Sequence, residues 1–180
     1  MAATNTSTNR SSSRRGARRP ASESQEREFD QKTIELSRVS RVMAGGKRMR
    51  FRACIAIGDH KGQVGIGVAK AADVPLAISK AVAIARKNLI RIPLYEDTLP
   101  HAVRTKFGAA SVLLKPAPKG TGIIAGGAVR SILELGGVPN VVSKMLGSKN
   151  KINNVKATIR ALSELQTRAP RQLNSEKDNS

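Results

Sequence analysis

Arg48-Met49-Arg50-Phe51-Arg52-Ala53-Cys54-Ile55-Ala56-Ile57 alternates at the two-residue period of a β-strand. Met49, Phe51, Ala53, Ile55 and Ile57 fall on one face, and Arg48, Arg50 and Arg52 on the other. The reading predicts a strand with an apolar side toward a core and a guanidinium side toward a partner. Upstream, Ile34–Val42 is also strand-like, and the Gly45-Gly46 pair breaks the pattern between the two. Downstream, Asp59-His60-Lys61-Gly62 reads as a hairpin turn. Val64, Ile66 and Val68 then continue an apolar face, with Gly65 and Gly67 opposite.

A helix is expected next. Asp73 can cap it, and Pro75 is tolerated only in its first turn. Val74, Ile78, Ala81, Val82, Ala85, Leu89 and Ile92 recur at helical spacing. Lys80, Lys87 and Arg91 line the opposite face. The first half thus reads as three antiparallel strands with one helix packed on them.

In the second half, His101–Phe107 and Ser111–Leu114 suggest a hairpin turned at Gly108. Ile123–Leu135 has helical periodicity and stops at Gly136-Gly137, as at a C-cap. Val138–Leu146 reads as a strand. Asn153 or Asn154 can cap a last helix with Val155, Ile159, Leu162 and Leu165 on one side. The expected class is α+β. It has an N-terminal domain over 31–97 and a small C-terminal α+β domain over 98–168. Residues 1–30, rich in Ser, Thr, Asn and Arg, are expected to form a disordered basic arm, and 169–180 a disordered tail.

The 180 residues include 32 Lys and Arg against 13 Asp and Glu, a formal charge of +19. So large an excess favours a polyanionic partner, nucleic acid before an anionic membrane. No apolar run approaches the ~20 residues that span a bilayer. Aromatics are 2% of the chain, too thinly spread over Phe29, Phe51, Tyr95 and Phe107 for a base-stacking platform. Phosphate, ribose and shape are the features left to read. One cysteine, Cys54, excludes an intrachain disulfide and a Cys-rich zinc site, and suits a reducing compartment. His60 and His101 lie in different segments, so neither a metal site nor a catalytic constellation is expected.

Two glycine-rich stretches invite a nucleotide reading. Gly65-Ile66-Gly67-Val68-Ala69-Lys70 lies within a strand, and no acid stands ~20 residues on, so a dinucleotide loop is excluded. A glycine strand face instead admits another backbone. Gly120-Thr121-Gly122-Ile123-Ile124-Ala125-Gly126-Gly127 lacks the closing Gly-Lys-Ser/Thr of a phosphate loop. An RNA phosphate on free amides and simple helix–strand packing remain equally open there.

At three stretches the chain resembles the family of the fifth small-subunit ribosomal protein of bacteria. They are Gly45-Gly46-Lys47-Arg48-Met49-Arg50-Phe51, then Val64-Gly65-Ile66-Gly67-Val68-Ala69-Lys70-Ala71, and then Gly120 through Arg130. Gly147-Ser148 and Val155-Lys156-Ala157-Thr158 follow downstream. The resemblance spans about Ile34 to Leu165. It implies an N-terminal fold similar to a double-stranded-RNA-binding domain without its first helix, and a βαβ-type C-terminal module. It also implies a structural, non-catalytic role on 16S-type small-subunit rRNA near the central pseudoknot, without a cofactor. Further implied are small-subunit proteins four and eight as neighbours, a place close to the messenger entry path, and influence on decoding accuracy. The Gly45-Gly46 loop would approach the spectinomycin pocket. Ala44 stands where family members commonly carry Lys, Ala69 replaces a third glycine, and Lys151 replaces a Pro.

Charge, glycine loops and resemblance together give the candidate rRNA contacts. On the first half they are Arg38, Arg41, Gly45, Gly46, Lys47, Arg48, Arg50, Arg52, Lys61, Gly65, Gly67, Lys70, Lys80, Lys87 and Arg91. On the second half they are Lys119, Thr121, Gly122, Arg130, Lys149 and Lys156. The expected location is the ribosome of the cytoplasm rather than of an organelle. The competing readings are a free-standing RNA or DNA regulator and a nucleotide-dependent enzyme.

Overall fold

A computed structural model describes residues 29–166. The expected tail at 169–180 lies outside them, as does the expected arm apart from Phe29 and Asp30. The first sheet has the order β1-β2-β3-β4 and is antiparallel throughout. Its strands are β1 (Asp30–Met43), β2 (Gly46–Gly58), β3 (Gln63–Ala71) and β4 (Leu89–Arg91), with α1 (Val74–Lys87) between β3 and β4. The sheet therefore has four strands where three were expected. Leu89 and Ile92 continue the apolar period of the helix, but Asn88 ends it, and Leu89–Arg91 pairs with Gln63–Gly65. Strand β1 begins at Asp30, earlier than the Ile34 start expected, and the pairing shifts between Thr33 and Glu35.

The second sheet has the order β5-β6-β8-β7. It comprises β5 (Val103–Phe107), β6 (Ala110–Pro116), β7 (Ile123–Ile124) and β8 (Val141–Gly147). Strands β7 and β8 run parallel and are joined through α2 (Gly127–Leu135), which makes a βαβ unit. Helix α3 (Lys151–Ser163) closes the described chain. Two expectations change here. Ile123-Ile124 forms a strand rather than the first turn of a helix. The last helix is capped by Asn150, whose side chain accepts from the Ile152 amide, and not by Asn153 or Asn154. Lys151 is its first residue.

The layers stack as α1, first sheet, α2 with α3, second sheet. This order explains a misread strand. Along β2 the residues Ala53, Ile55 and Ile57 pack under α1. Cys54 and Ala56 point the other way and are also fully buried, in the core shared with Leu99, Val112, Val129 and Leu162. From Ala53 onward both faces of β2 are therefore interior. Each large aliphatic side chain so buried contributes ~1.5–3 kcal/mol. The first half encloses a core of its own beneath α1, and the opposite face of its sheet shares a second core with the C-terminal half. Met49, expected on the apolar face of the core, is 56% exposed, because α1 does not reach that far along the strand.

Gly65 and Gly67 meet α1 closely. A Cβ on Gly67 would overlap the carbonyl oxygen of Ala81, and one on Gly65 would lie 2.5 Å from that of Ala85. The helix matches them with Ala77, Ala81 and Ala85, all fully buried. Glycine on the strand and alanine on the helix let the two backbones approach. The glycine face expected to admit another backbone does so, and that backbone is α1.

The halves are also joined at the β2–β3 turn. His60 has φ +56°, and its backbone N–H donates to the Leu135 carbonyl at 3.0 Å. Its Nδ1 lies 2.8 Å from the Glu134 carbonyl oxygen, and its Nε2 lies 3.0 Å from Asp30 Oδ2. Asp59 Oδ1 accepts from the amides of Lys61 and Gln63 and holds the turn in shape. The residue that reads as a polar turn histidine is a fastener between β1, the turn and the end of α2.

Candidate RNA interface

Antiparallel pairing puts directly opposed residues on one face. Arg41 opposes Arg48, Val39 opposes Arg50, Ser37 opposes Arg52, and Arg52 opposes Lys70. The face that packs on α2 and α3 lower down thus continues, past Arg52, as an open basic surface. Arg41, Arg48, Arg50 and Lys70 line a hollow of about 260 Å³ with Val39, Ser40 and Met43. From Ser37 to Gly58 the chain holds no Asp or Glu. Opposed side chains on paired strands have Cβ atoms ~5 Å apart, and like charges there destabilise the pair. A phosphate between Arg41 and Arg48 would remove that repulsion.

Arg52 marks the border of this surface. It is half-buried and meets Glu35 at 3.5 Å. Just below it Cys54 is 1% exposed, and burial first, then the nearby Glu35, pushes its thiol up to about 11. Arg38 opposes Phe51 and lies on the other face, on the α1 side, so it does not join Arg48 and Arg50. Lys47 opposes Val42, also on that other face, at the exposed tip of the hairpin. Gly45 and Gly46 form the tip with open space around them, and Gly46 has φ +130°.

The remaining candidates disperse. Lys80 and Lys87 are exposed on α1, but Arg91 has left the helix for β4, so the expected three-residue stripe is broken. Arg91 instead shares a hollow with Lys61 at the far end of the first sheet. Gly65 and Gly67 are buried beneath α1 and present no surface to RNA, which corrects their place among the contacts. Lys119 pairs with Asp97 at 3.5 Å and Arg130 with Glu134 at 3.3 Å. Lys156 lies 5.2 Å from the centre of the Phe107 ring, and Lys149 is exposed before α3.

The amides of the Gly120–Gly122 loop itself are committed within the fold, whereas α2 begins at Gly127 with no side-chain cap on its first turn. The amides of Gly120 and Gly122 both donate to Asn140 Oδ1 at 3.1 Å, and that of Thr121 to the Pro118 carbonyl. Asn140, 7% exposed, also donates from Nδ2 to the Asp97 carbonyl and accepts at its own carbonyl from Thr98 Oγ1. It shapes the loop from inside, and no periodicity in the sequence announces it. Asn140→Ala would strip two amides of one acceptor. We expect a loss of about 2 kcal/mol in chemical unfolding of the full chain. A change below ~0.5 kcal/mol would show that the loop holds without it.

The sequence reading passed over the four cations of the second sheet, Arg104, Lys106, Lys115 and Lys144, which all lie exposed. The alternation Val103-Arg104-Thr105-Lys106-Phe107 was the available signal. Among the described residues, no group of three His, Cys, Asp or Glu is placed to hold a metal ion. No described helix is long and apolar enough to cross a membrane.

Residues 29–93 match the family description "Ribosomal protein S5, N-terminal domain", and residues 105–177 match "Ribosomal protein S5, C-terminal domain". The chain belongs to the ribosomal protein S5 family. Among its relatives is "Small ribosomal subunit protein uS5c" of Cyanidium caldarium, 48% identical over 150 residues, covering 83% of this chain and 89% of the relative. "Small ribosomal subunit protein uS5" of Thermus thermophilus is 48% identical over 144 residues, covering 80% and 89%. The S5 fold explains the division of the sequence signals. The glycine motif of β3 builds the helix–sheet contact, and the arginine alternation of β2 builds the open surface. This S5 chain is a structural constituent of the small ribosomal subunit and not an enzyme.

Proposed function

We propose that the chain holds 16S-type small-subunit rRNA through the basic face of the β1–β2 hairpin, and that it supports subunit assembly and decoding accuracy. The observation that carries this is the acid-free surface of Arg41, Arg48, Arg50 and Lys70 around one hollow. Its guanidiniums suit bidentate phosphate contact. The glycine tip ahead of it has room for close approach of a backbone. Neighbouring proteins four and eight, the messenger entry path and the spectinomycin pocket belong to the same proposal, from the family resemblance. We place the protein in the cytoplasmic ribosome. An organellar ribosome is the alternative.

Affinity for a small-subunit rRNA fragment should fall steeply as salt rises, by ~0.7–0.9 log units per log unit of salt for each phosphate neutralised. Arg48→Gln with Arg50→Gln should shallow that slope by ~1.4–1.8. Both side chains are exposed, so melting should change little. A slope unaltered by the double substitution would remove the hairpin face from the interface.

A further inference from the structure

We propose that the outer face of the second sheet is a separate RNA-backbone site, centred on Arg104, Lys106, Lys115 and Lys144. Strands β5 to β8 contain no Asp or Glu, and these are all their cations. Pairing puts the four on one face. Arg104 opposes Leu113, which opposes Lys144; Lys106 opposes Ser111; Lys115 opposes Val142. The other face of the same strands carries Val112, Leu114 and Val141 into the core under α2 and α3. Segregation of every cation to the outer face leaves a charged surface with no described helix or strand packed on it.

The charges are also uncommitted. Lys119, Arg130, Arg160 and Lys32 each meet a carboxylate, whereas none of these four forms an ion pair with a described residue. Arg104 Nε reaches Ser111 Oγ at 3.5 Å, which leaves the rest of the guanidinium fork outward. Cations on β5, β6 and β8 span about 10 Å across the strands, and Arg104 and Lys106 lie ~7 Å apart along one. Such a grid suits several phosphates of a nucleic-acid backbone. It has no aromatic platform for bases. The exposed apolar part is Val142 and Ile124 at one edge, 36% and 54% exposed. That is far short of the ~800 Å² that each partner contributes to a stable protein interface. Charge complementarity therefore favours RNA over a protein.

The test uses small subunits containing the full chain. An amine-acylating reagent is applied to the subunits and to the free chain, and adducts are mapped by mass spectrometry. Ultraviolet crosslinking then identifies peptides that carry nucleotides. We expect Lys106, Lys115 and Lys144 to be at least tenfold less acylated in the subunit, with nucleotide adducts on the β5, β6 or β8 peptides. Protection with crosslinks to another protein and no nucleotide adduct would overturn the proposal in favour of a protein occupant. Acylation equal to that of the free chain would overturn it outright. A Lys106→Glu and Lys144→Glu variant should be incorporated into subunits at least tenfold less well, and Lys106→Arg with Lys144→Arg should restore incorporation. Because the β1–β2 face is intact in both, failure here leaves the hairpin proposal standing, and the reverse.

Discussion

Small subunits carrying Gly46→Val or Lys47→Glu should assemble poorly, misread or respond abnormally to spectinomycin, while the isolated variants melt within ~4 °C of the wild type. Residues 40–50 are all exposed, so the hairpin tip contributes little to the core. Gly46 has φ +130°, a region that a β-branched residue does not adopt without strain. Nothing lies within 4 Å of a Cβ there, so the penalty is backbone strain alone. The tip can relieve it by losing the Met43–Gly46 pairing, at about 1 kcal/mol, and that cost sets the small melting shift. The altered tip can no longer approach a partner backbone as Gly45-Gly46 does. Lys47→Glu acts by charge, putting a carboxylate at the exposed tip, on the face opposite Arg41 and Arg48, where it weakens the attraction of the whole hairpin end for a phosphate backbone. Misreading reporters, drug sensitivity and gradient profiles of subunits are the measurements. Normal phenotypes with both variants, or collapse of either isolated fold, would refute the assignment.

Gly67→Ala should behave in the opposite way. The added methyl lies against the Ala81 carbonyl and the Ala85 amide of α1, both backbone, so no side chain can swing aside. The helix must lift from the sheet or β3 must bend, and overpacking of this kind costs about 3 kcal/mol. For a chain of this size that is roughly 10 °C of melting temperature. Gly67→Ala should therefore unfold early in isolation, and any ribosomal defect should follow the amount of folded protein. A melting point unchanged by Gly67→Ala would show that the α1 contact is looser than described. Two glycines that look alike in the sequence are thus separable: one is needed at the surface and one in the interior.

The arginine alternation was legible because a strand puts alternate residues on opposite faces whatever surrounds it. What it could not show was where the alternation stops mattering. Cys54 and Ala56 continue the arginine face, yet they are buried by α2, α3 and the second sheet, which begin more than 45 residues later in the chain. Met49 continues the apolar face, yet it is exposed because α1 ends short of it. The Leu89 and Ile92 period misled for a related reason. A residue facing a core repeats in the same apolar alphabet whether it reaches that core from a helix or from the strand after it.

By itself the sequence determined an excess of cations suited to a polyanion and the β2–β3 hairpin with its following helix, while the family, and with it the βαβ character of the second half, came from resemblance and not from periodicity. Net charge, two-residue alternation and glycine spacing are properties of the local chain, and they survive without knowledge of distant contacts. Only the tertiary structure decided that the two halves share a core beside the one beneath α1, that Gly65 and Gly67 serve α1, that Asn140 takes the Gly120 and Gly122 amides, and that four cations gather on one sheet face. Each of those depends on residues from separate segments meeting at a few ångströms. Strand order and layer stacking fix such meetings, and no local pattern encodes them.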